Sequence, residues 1–286
     1  MKMEKLNRRT FIKNAALLAA TSTVSVSSKT ENKQVNLIFR ADDMGMSHAA
    51  NLGCLESYQK GVVRSVEVMV PCPWFPEAAE MLADHKGLDA GLHLTLNSEW
   101  KTFRWRPLTY GPSLMDEEGN FYPGFTQPKD KNQLLNGWKL PEVEKELRAQ
   151  IELGLKKIPH LTHFSDHMFF SREPAIEALL VKLSDEYQLF YENKQAGLAF
   201  APKVDKDIEK NDDQLEAMKA RIANLKRGNW IIITHPSAGT EEAHAIRGSK
   251  DDIGYKRNLS RQLLINPELV QYCQERVNLV AYKNLI

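Results

Sequence analysis

Five side chains that could bind a metal ion or transfer a proton stand near the carboxyl ends of four apolar runs in the sequence. They are Asp42, Asp43, His93, His167 and His235. Taken singly, an Asp-Asp pair is more often a surface turn, and a histidine is more often a hydrogen-bonded core residue. The carboxyl ends of parallel strands meet at one rim of an α/β protein, so the joint placement favours a single site. A carboxylate with two neutral imidazoles would leave coordination positions open, as catalytic metal centres do.

The elements that must position these residues read as strands and helices in alternation. Both acids can face one site only if the strand before them has ended, because successive strand side chains point to opposite faces. Gly45 and Ser47 then supply a turn and a helix N-cap. Strands are predicted at 37–41, 62–70, 88–96, 158–168, 188–191, 230–236 and 277–282, and helices at 47–61, 75–85, 141–155, 174–187, 204–227 and 260–275. This repeat predicts a parallel sheet with crossover helices, and period two places His163, Ser165 and His167 on one strand face.

Residues 97–140 interrupt the pattern with a long loop rich in aromatic side chains. Those side chains are Trp100, Phe103, Trp105, Tyr110, Phe121, Tyr122, Phe125 and Trp138. A loop of this length in a compact domain is usually functional, so we expect it to form part of a cleft. Exposed rings such as Trp100 and Trp105 would suit stacking on sugars, whereas a small self-packed core under the loop is an equal alternative.

The N-terminal stretch reads as an export signal. Residues 5–28 combine a basic region, a short apolar region and a Ser/Thr/Val tract, and Arg8-Arg9 with the residues after it resembles a twin-arginine signal. The alternative is a basic amphipathic first helix. We therefore predict a signal peptide at 1–30, a mature domain at 31–286 and a periplasmic location. The apolar region is too short to be a permanent membrane anchor.

Composition limits the remaining function classes. The 286 residues are 42% hydrophobic and 26% charged, enough for one large α/β domain or two small ones. The net charge of +1, from 38 basic and 37 acidic residues, provides no field that would attract nucleic acid. Three scattered cysteines predict neither a disulfide framework nor a cysteine metal site.

Several motifs, read together, resemble one family. They are residues 41–47 with Asn51 and Gly53, residues 91–96, residues 146–151, Thr162-His163 with His167, and His235-Pro236. From about residue 35 to the C-terminus the chain resembles the YdjC-like carbohydrate deacetylases, which are related to the chitooligosaccharide deacetylases. The resemblance implies a distorted (β/α) TIM-like barrel with parallel strands and hydrolysis of the N-acetyl group of an amino-sugar oligosaccharide. It also implies Asp43, His93 and His167 as metal ligands, Asp42 as general base and His235 as general acid.

One segment departs from the pattern of the family. The family has Asp two residues after the position of His163, whereas this chain has Ser165 and then Asp166. Phe169 also replaces a frequent further histidine. We expect the carboxylate that would orient His167 to have moved to the opposite face of the strand, which bears on metal affinity and substrate choice.

The resemblance and the residue types together predict one divalent cofactor. Two imidazoles favour Zn²⁺ over Mg²⁺, and Mn²⁺, Co²⁺ or Ni²⁺ would also bind. The expected partner is an acetylated oligosaccharide, and a homodimer is left open. Two alternatives remain: a metal-dependent esterase acting on O-acetyl sugars, and a periplasmic sugar-binding protein that has the fold without turnover.

Overall fold

The computed structural model describes residues 34–124, 137–191, 198–203, 214–246 and 252–286. The predicted signal peptide with Arg8 and Arg9 lies outside these ranges, as does the predicted domain start at residue 31. Phe125 and the first half of the predicted helix 204–227 also lie outside them. Residues 33–286 form one structural unit.

The centre of the fold is an eight-stranded sheet in which every recorded strand pair is parallel. Its strands are β1 Val35–Met44, β2 Ser65–Val68, β3 Asp89–Leu94, β4 His163–Asp166, β5 Phe190–Tyr191, β6 Leu198–Phe200, β7 Gly228–Thr234 and β8 Asn278–Leu279. The order is β5-β4-β3-β2-β1-β7-β6, and β8 pairs with β1. Strand β6 was not predicted from sequence. The parallel α/β sheet confirms the predicted fold class, a distorted TIM-like barrel whose outer strands β5 and β6 do not pair in the described residues.

Helices connect the strands and cover the sheet. They are α1 His48–Gln59, α2 Phe75–Asp84, α3 Leu140–Lys157, α4 Pro174–Tyr187, α5 Gln214–Ala223, α6 Glu241–Ala245, α7 Ile253–Leu264 and α8 Pro267–Arg276. The predicted single helix 260–275 is wrong: α7 ends near Leu264, and Asn266 caps a new helix through the amide of Glu268. Pro267 follows at the first helical turn, where its missing N–H costs nothing. Of the predicted helix 204–227, residues 214–223 form α5, and residues 224–227 are not helical.

Strand β1 lies at the middle of the sheet and separates two apolar layers. Leu37 and Phe39 are fully buried in the main core, which the helices share. Ile38 faces the barrel interior, where it forms a second cluster with Ile231 and Tyr282. This alternation is the period-two pattern of a strand buried on both faces. Beyond Ile38 the interior side of β1 becomes polar. Because side chains alternate along the strand, Arg40 and Asp42 point toward the same interior as Ile38.

The long loop has no α-helix or strand in its described parts, residues 97–124 and 137–139, apart from a short 3-10 turn at Pro112–Leu114 and one bridge between Met115 and Phe121. The aromatic insertion as a whole stays a prediction, because residues 125–136 are outside the described ranges. Within the described residues, no helix combines the length and the hydropathy needed to cross a bilayer. The three cysteines are buried and free.

Candidate metal centre

A β-bulge, rather than the end of a strand, brings Asp42 and Asp43 to one side. Strand β1 pairs Ala41 with Val66 and Met44 with Val68, so two residues of β1 stand opposite Glu67 alone. Asp43 takes the left-handed conformation with φ of 67°, which Asp tolerates better than most residues. The extra residue reverses the alternation of side chains. The expectation that the strand ends before Asp42 was therefore wrong, although both carboxylates do reach the same site.

The structure brings Asp43, His93 and His167 together in one buried group. Their ligand atoms all lie within 4.8 Å of one another. Asp43 Oδ1 is 3.7 Å from His93 Nε2 and 3.6 Å from His167 Nδ1. His93 comes from the end of β3, while His167 lies just beyond β4, at the start of a 3-10 turn over His167–Arg172. The predicted strand 158–168 therefore ends earlier than expected, at Asp166.

The donor atoms of this group fit a divalent ion. Three N and O ligands at about 2.0–2.2 Å and near-tetrahedral angles would lie roughly 3.4 Å apart, close to the measured separations. Asp43 Oδ1 is buried and has no hydrogen-bond donor among the described residues. An orphaned carboxylate oxygen facing two imidazole nitrogens is a costly arrangement unless a cation joins them.

In each of the two histidines, the ring nitrogen that does not face Asp43 has a hydrogen-bond partner. His93 Nδ1 lies 2.9 Å from Ser165 Oγ, and burial lowers the pKa of His93, which favours the neutral ring that a ligand needs. His167 Nε2 lies 3.1 Å from Glu99 Oε2. Burial lowers the pKa of His167, but the Glu99 carboxylate and Asp43 outweigh it and raise the pKa to about 9. A bound ion would therefore have to displace a proton from His167 Nδ1.

Each aspartate pairs with its own arginine. Arg40 Nε and Nη2 donate to the two oxygens of Asp42 at 2.6 and 2.8 Å, and both side chains are buried. Arg257 Nη2 donates to Asp43 Oδ2 at 2.5 Å and leaves Oδ1 facing the histidines. Burial raises the pKa of both acids, but Arg40 at Asp42 and Arg257 at Asp43 outweigh it, and the pKa of each lies below its usual range. Both acids are carboxylates at neutral pH.

His235 lies at the rim, one residue beyond the end of β7, and its side chain is exposed. It is outside the buried group of three ligand atoms. Electrostatic interaction with His235 is one of the lesser causes that lower the pKa of Asp43 and of Asp42. The role of His235 therefore stays a prediction.

The chain matches the family described as YdjC-like protein over residues 36–275. It belongs to the YdjC-like family.

Relatives of the YdjC-like chain include "Carbohydrate deacetylase 1" of Listeria innocua, 39% identical over 154 residues, which are 54% of this chain and 58% of that protein. A "Carbohydrate deacetylase" of Thermus thermophilus is 36% identical over 54% of this chain and 51% of its own length. The chain thus spans between half and three fifths of the length of these relatives. A solved structure from Enterococcus faecalis, described as a cellobiose-phosphate cleavage protein, matches 87% of this chain and 98% of its own with a TM-score of 0.70 and 23% identity, which supports the fold.

Two motif residues of the YdjC-like chain have local structural reasons. Asn51 Oδ1 accepts a hydrogen bond from the amide of Gly45 at 2.6 Å, and its Nδ2 donates to the carbonyl of Trp74. Gly45 has φ of 92°, and Ser47 Oγ caps α1 by accepting from the amide of Ala50, as predicted. Gly53 lies against Ser237, where a Cβ would come within 2.4 Å of the Cα of Ser237. Both residues therefore fix α1 and the turn after the two acids.

Trp100 and Trp105 are buried, with 7% and 2% exposure, and do not present open ring faces. The Trp105 ring lies 6.3 Å from the His167 ring, and the Arg257 guanidinium lies 5.8 Å from the Trp100 ring. They pack behind site residues, which supports the alternative of a self-packed core under the loop. Their role as substrate contacts stays a prediction.

The structure shows the contacts of Ser165 and Asp166, the two residues at which the chain departs from the pattern of the family. Asp166 does lie on the other face, where its Oδ2 accepts from the amide of Ser171 and holds the turn that carries His167. Ser165 pairs across the sheet with His93 and also donates to Glu67 Oε2 at 2.8 Å. Glu67 is fully buried and was not predicted as a site residue.

Sequence reasoning also missed Arg40, Glu99 and Arg257. Arg40 could have been found, because period two on β1 places it on the same face as Asp42. Glu99 and Arg257 lie in a loop and on a helix without a local pattern that points to the site. Only their tertiary contacts with His167 and Asp43 identify them.

Proposed function

We propose that the protein is a metal-dependent deacetylase that removes the N-acetyl group from an amino-sugar-containing oligosaccharide and releases acetate. The observation that carries the proposal is the buried group of Asp43, His93 and His167, with an orphaned carboxylate oxygen, in a YdjC-like chain. The relatives whose names describe carbohydrate deacetylases support the choice of substrate class.

The three ligands would hold one divalent ion, with Zn²⁺ preferred over Mg²⁺, Mn²⁺, Co²⁺ or Ni²⁺. An ion bound there would polarise the acetyl carbonyl and lower the pKa of a water molecule to about 7. Asp43 supplies a negative charge through Oδ1, and its other oxygen is fixed by Arg257. The two imidazoles supply neutral nitrogen donors, which favours zinc on ligand softness.

Asp42 is proposed as the general base. Its carboxylate is locked by two hydrogen bonds from Arg40, and its Oδ2 lies 3.7 Å from His93 Nε2, next to the ligand group. This position allows it to take the proton from an attacking water molecule. The two hydrogen bonds from Arg40 keep the carboxylate from rotating away, and because Arg40 holds the pKa of Asp42 low, the group is ionised and can accept a proton at neutral pH.

His235 is proposed as the general acid. An amide nitrogen is a very poor leaving group unless it is protonated, and the exposed imidazole at the end of β7 can deliver that proton. A cavity of about 480 Å³ adjoins it and is lined partly by His235, Thr234 and Arg257. The cavity lies between β7, α5 and α7, and its lining does not include Asp42, Asp43, His93 or His167.

Acetate release tests the proposal directly. The purified protein is incubated with N-acetylated chitooligosaccharides and other acetylated glycans, after chelation and again after Zn²⁺ is added back. We expect release that is lost on chelation and restored by the ion. Binding of the glycans without any acetate release would support the sugar-binding alternative, and release from O-acetyl sugars alone would support the esterase.

We also propose that the protein is exported by the twin-arginine route. The support is the Arg8-Arg9 segment and the apolar stretch after it. Export of an already folded chain would suit an enzyme that acquires its metal before it crosses the membrane.

A further inference from the structure

We propose that Glu67 acts through Ser165 to hold His93 in the tautomer that binds the metal ion. Glu67 and Ser165 are thus positioning residues, and the inference rests on the proposed metal centre. Three adjacent strands supply one member each: Glu67 from β2, His93 from β3 and Ser165 from β4.

We call the chain Glu67–Ser165–His93 the relay. Counting protons shows which group donates in each of its two hydrogen bonds. Ser165 Oγ lies 2.8 Å from Glu67 Oε2 and 2.9 Å from His93 Nδ1. A hydroxyl has one proton, and a carboxylate only accepts, so Ser165 donates to Glu67. Ser165 must then accept from His93, which places the ring proton on Nδ1. The lone pair of His93 is left on Nε2, the atom that lies 3.7 Å from Asp43 Oδ1.

The burial of the three side chains favours this single tautomer of His93. Glu67 and Ser165 are fully buried and His93 is 4% exposed, so bulk water does not compete for their hydrogen bonds. Ser165 is the register partner of His93 across β3 and β4, which fixes the distance between them through the backbone ladder. A hydrogen bond to the outer nitrogen of a metal-binding histidine typically contributes 10- to 100-fold to metal affinity.

The negative charge of Glu67 is balanced inside the barrel. Arg40 Nη1 lies 3.7 Å from Glu67 Oε1, while Arg40 also binds Asp42. His163 Nε2 lies 3.0 Å from the same oxygen, and the centroid of its ring lies 4.0 Å from that of the tilted Tyr282 ring. Because Arg40 keeps Asp42 as a partner when Glu67 is neutralised, a Glu67→Gln protein should fold.

The test is the Zn²⁺ dissociation constant of the full chain, measured by competition with a chelator. Ser165→Ala removes the acceptor for His93 Nδ1 and should weaken Zn²⁺ binding by about 10- to 100-fold. Glu67→Gln should weaken it at least as much, because the amide can donate to Ser165 and reverse the relay. His93 would then carry its proton on Nε2. Ser57→Ala, which removes another fully buried hydroxyl, is the matched control and should leave affinity unchanged.

Two further measurements separate positioning from simple structural support. The ¹⁵N shifts of the His93 ring in the metal-free protein should show the Nδ1–H tautomer in wild type and the Nε2–H tautomer in Glu67→Gln. The double variant Ser165→Asp with Glu67→Gln moves the carboxylate next to His93 at constant charge. It should restore Zn²⁺ affinity to within about fivefold of wild type.

Several results would overturn the relay. Wild-type affinity in both Ser165→Ala and Glu67→Gln would do so, as would an equal loss in Ser57→Ala or an Nε2–H tautomer in wild type. If Ser165→Ala does not fold, the near-isosteric Glu67→Gln decides. A wild-type protein that binds no divalent ion would instead refute the proposed metal centre, and the tautomer measurement would still decide whether the relay exists.

Discussion

Asparagine substitutions at Asp42 and Asp43 should have different effects, although the two acids are adjacent. Asn is the same size as Asp and also tolerates the left-handed conformation that Asp43 adopts, so the bulge should survive both changes. Asp42→Asn removes the proposed base, and Asp43→Asn removes a charged ligand. We expect the first variant to retain metal and lose turnover, and the second to lose both.

The size of each effect follows from the partners of each acid. Loss of a general base typically costs 10²- to 10⁴-fold in kcat. Arg40 keeps Glu67 nearby after the Asp42 charge is removed, so the metal dissociation constant should rise by less than about tenfold. Arg257 pairs with no carboxylate other than Asp43 among the described residues. In Asp43→Asn the ion loses a contact charge and faces an uncompensated guanidinium, which should weaken binding on the order of 10³-fold.

Both variants are assayed for bound metal by elemental analysis and for acetate release at saturating Zn²⁺. Urea unfolding checks that each is folded, and Asp84→Asn, on the exposed end of α2, serves as the control. Near-wild-type acetate release from Asp42→Asn would show that Asp42 is not the base. Unchanged metal content and affinity in Asp43→Asn would remove Asp43 from the ligand set.

Three other predictions test the acid, the packing and the export signal. His235→Ala should keep full metal content and lower hydrolysis of the N-acetyl sugar about 10²-fold or more, with a much smaller loss on an activated acetyl ester; equal losses, or loss of metal, would contradict the role of a general acid. Gly91→Ala should lower the free energy of unfolding in urea by about 1–3 kcal/mol, because its Cβ would come within 2.4 Å of Nε2 of the buried His163. In the control Gly137→Ala the new Cβ meets nothing within 4 Å, so the free energy of unfolding should change little. Arg8→Lys with Arg9→Lys should retain the precursor in the cytoplasm, and normal periplasmic processing of that variant would point to the general secretory route.

The fold could be predicted from sequence because its signals are local. Apolar runs of strand length alternate with amphipathic stretches, and caps such as Ser47 mark helix starts. The errors arose where one residue changes the geometry. Asn266-Pro267 divides what periodicity presents as one helix, and β6 has only three residues, too few to establish a period.

The site could be predicted in composition but not in detail. Placing His93, His167 and His235 at one rim requires only that parallel strands end together. Bringing Asp42 and Asp43 to one side required a bulge, and no residue in the segment signals a bulge as clearly as a glycine would. The carboxylates reach the site by a left-handed residue within the strand, and the turn at Gly45 follows it.

Position 165 illustrates why the remaining contacts could not be predicted. The sequence correctly placed Asp166 on the strand face away from the site. We therefore expected that His167 would lack the carboxylate that orients it. That inference assumed that the orienting carboxylate must come from the same strand. In the structure the carboxylate beside His167 is that of Glu99, from the long loop, and Ser165 instead lies between His93 of β3 and Glu67 of β2. Such a contact depends on the register of β2, β3 and β4 together, and register is set by the assembled sheet rather than by any one segment.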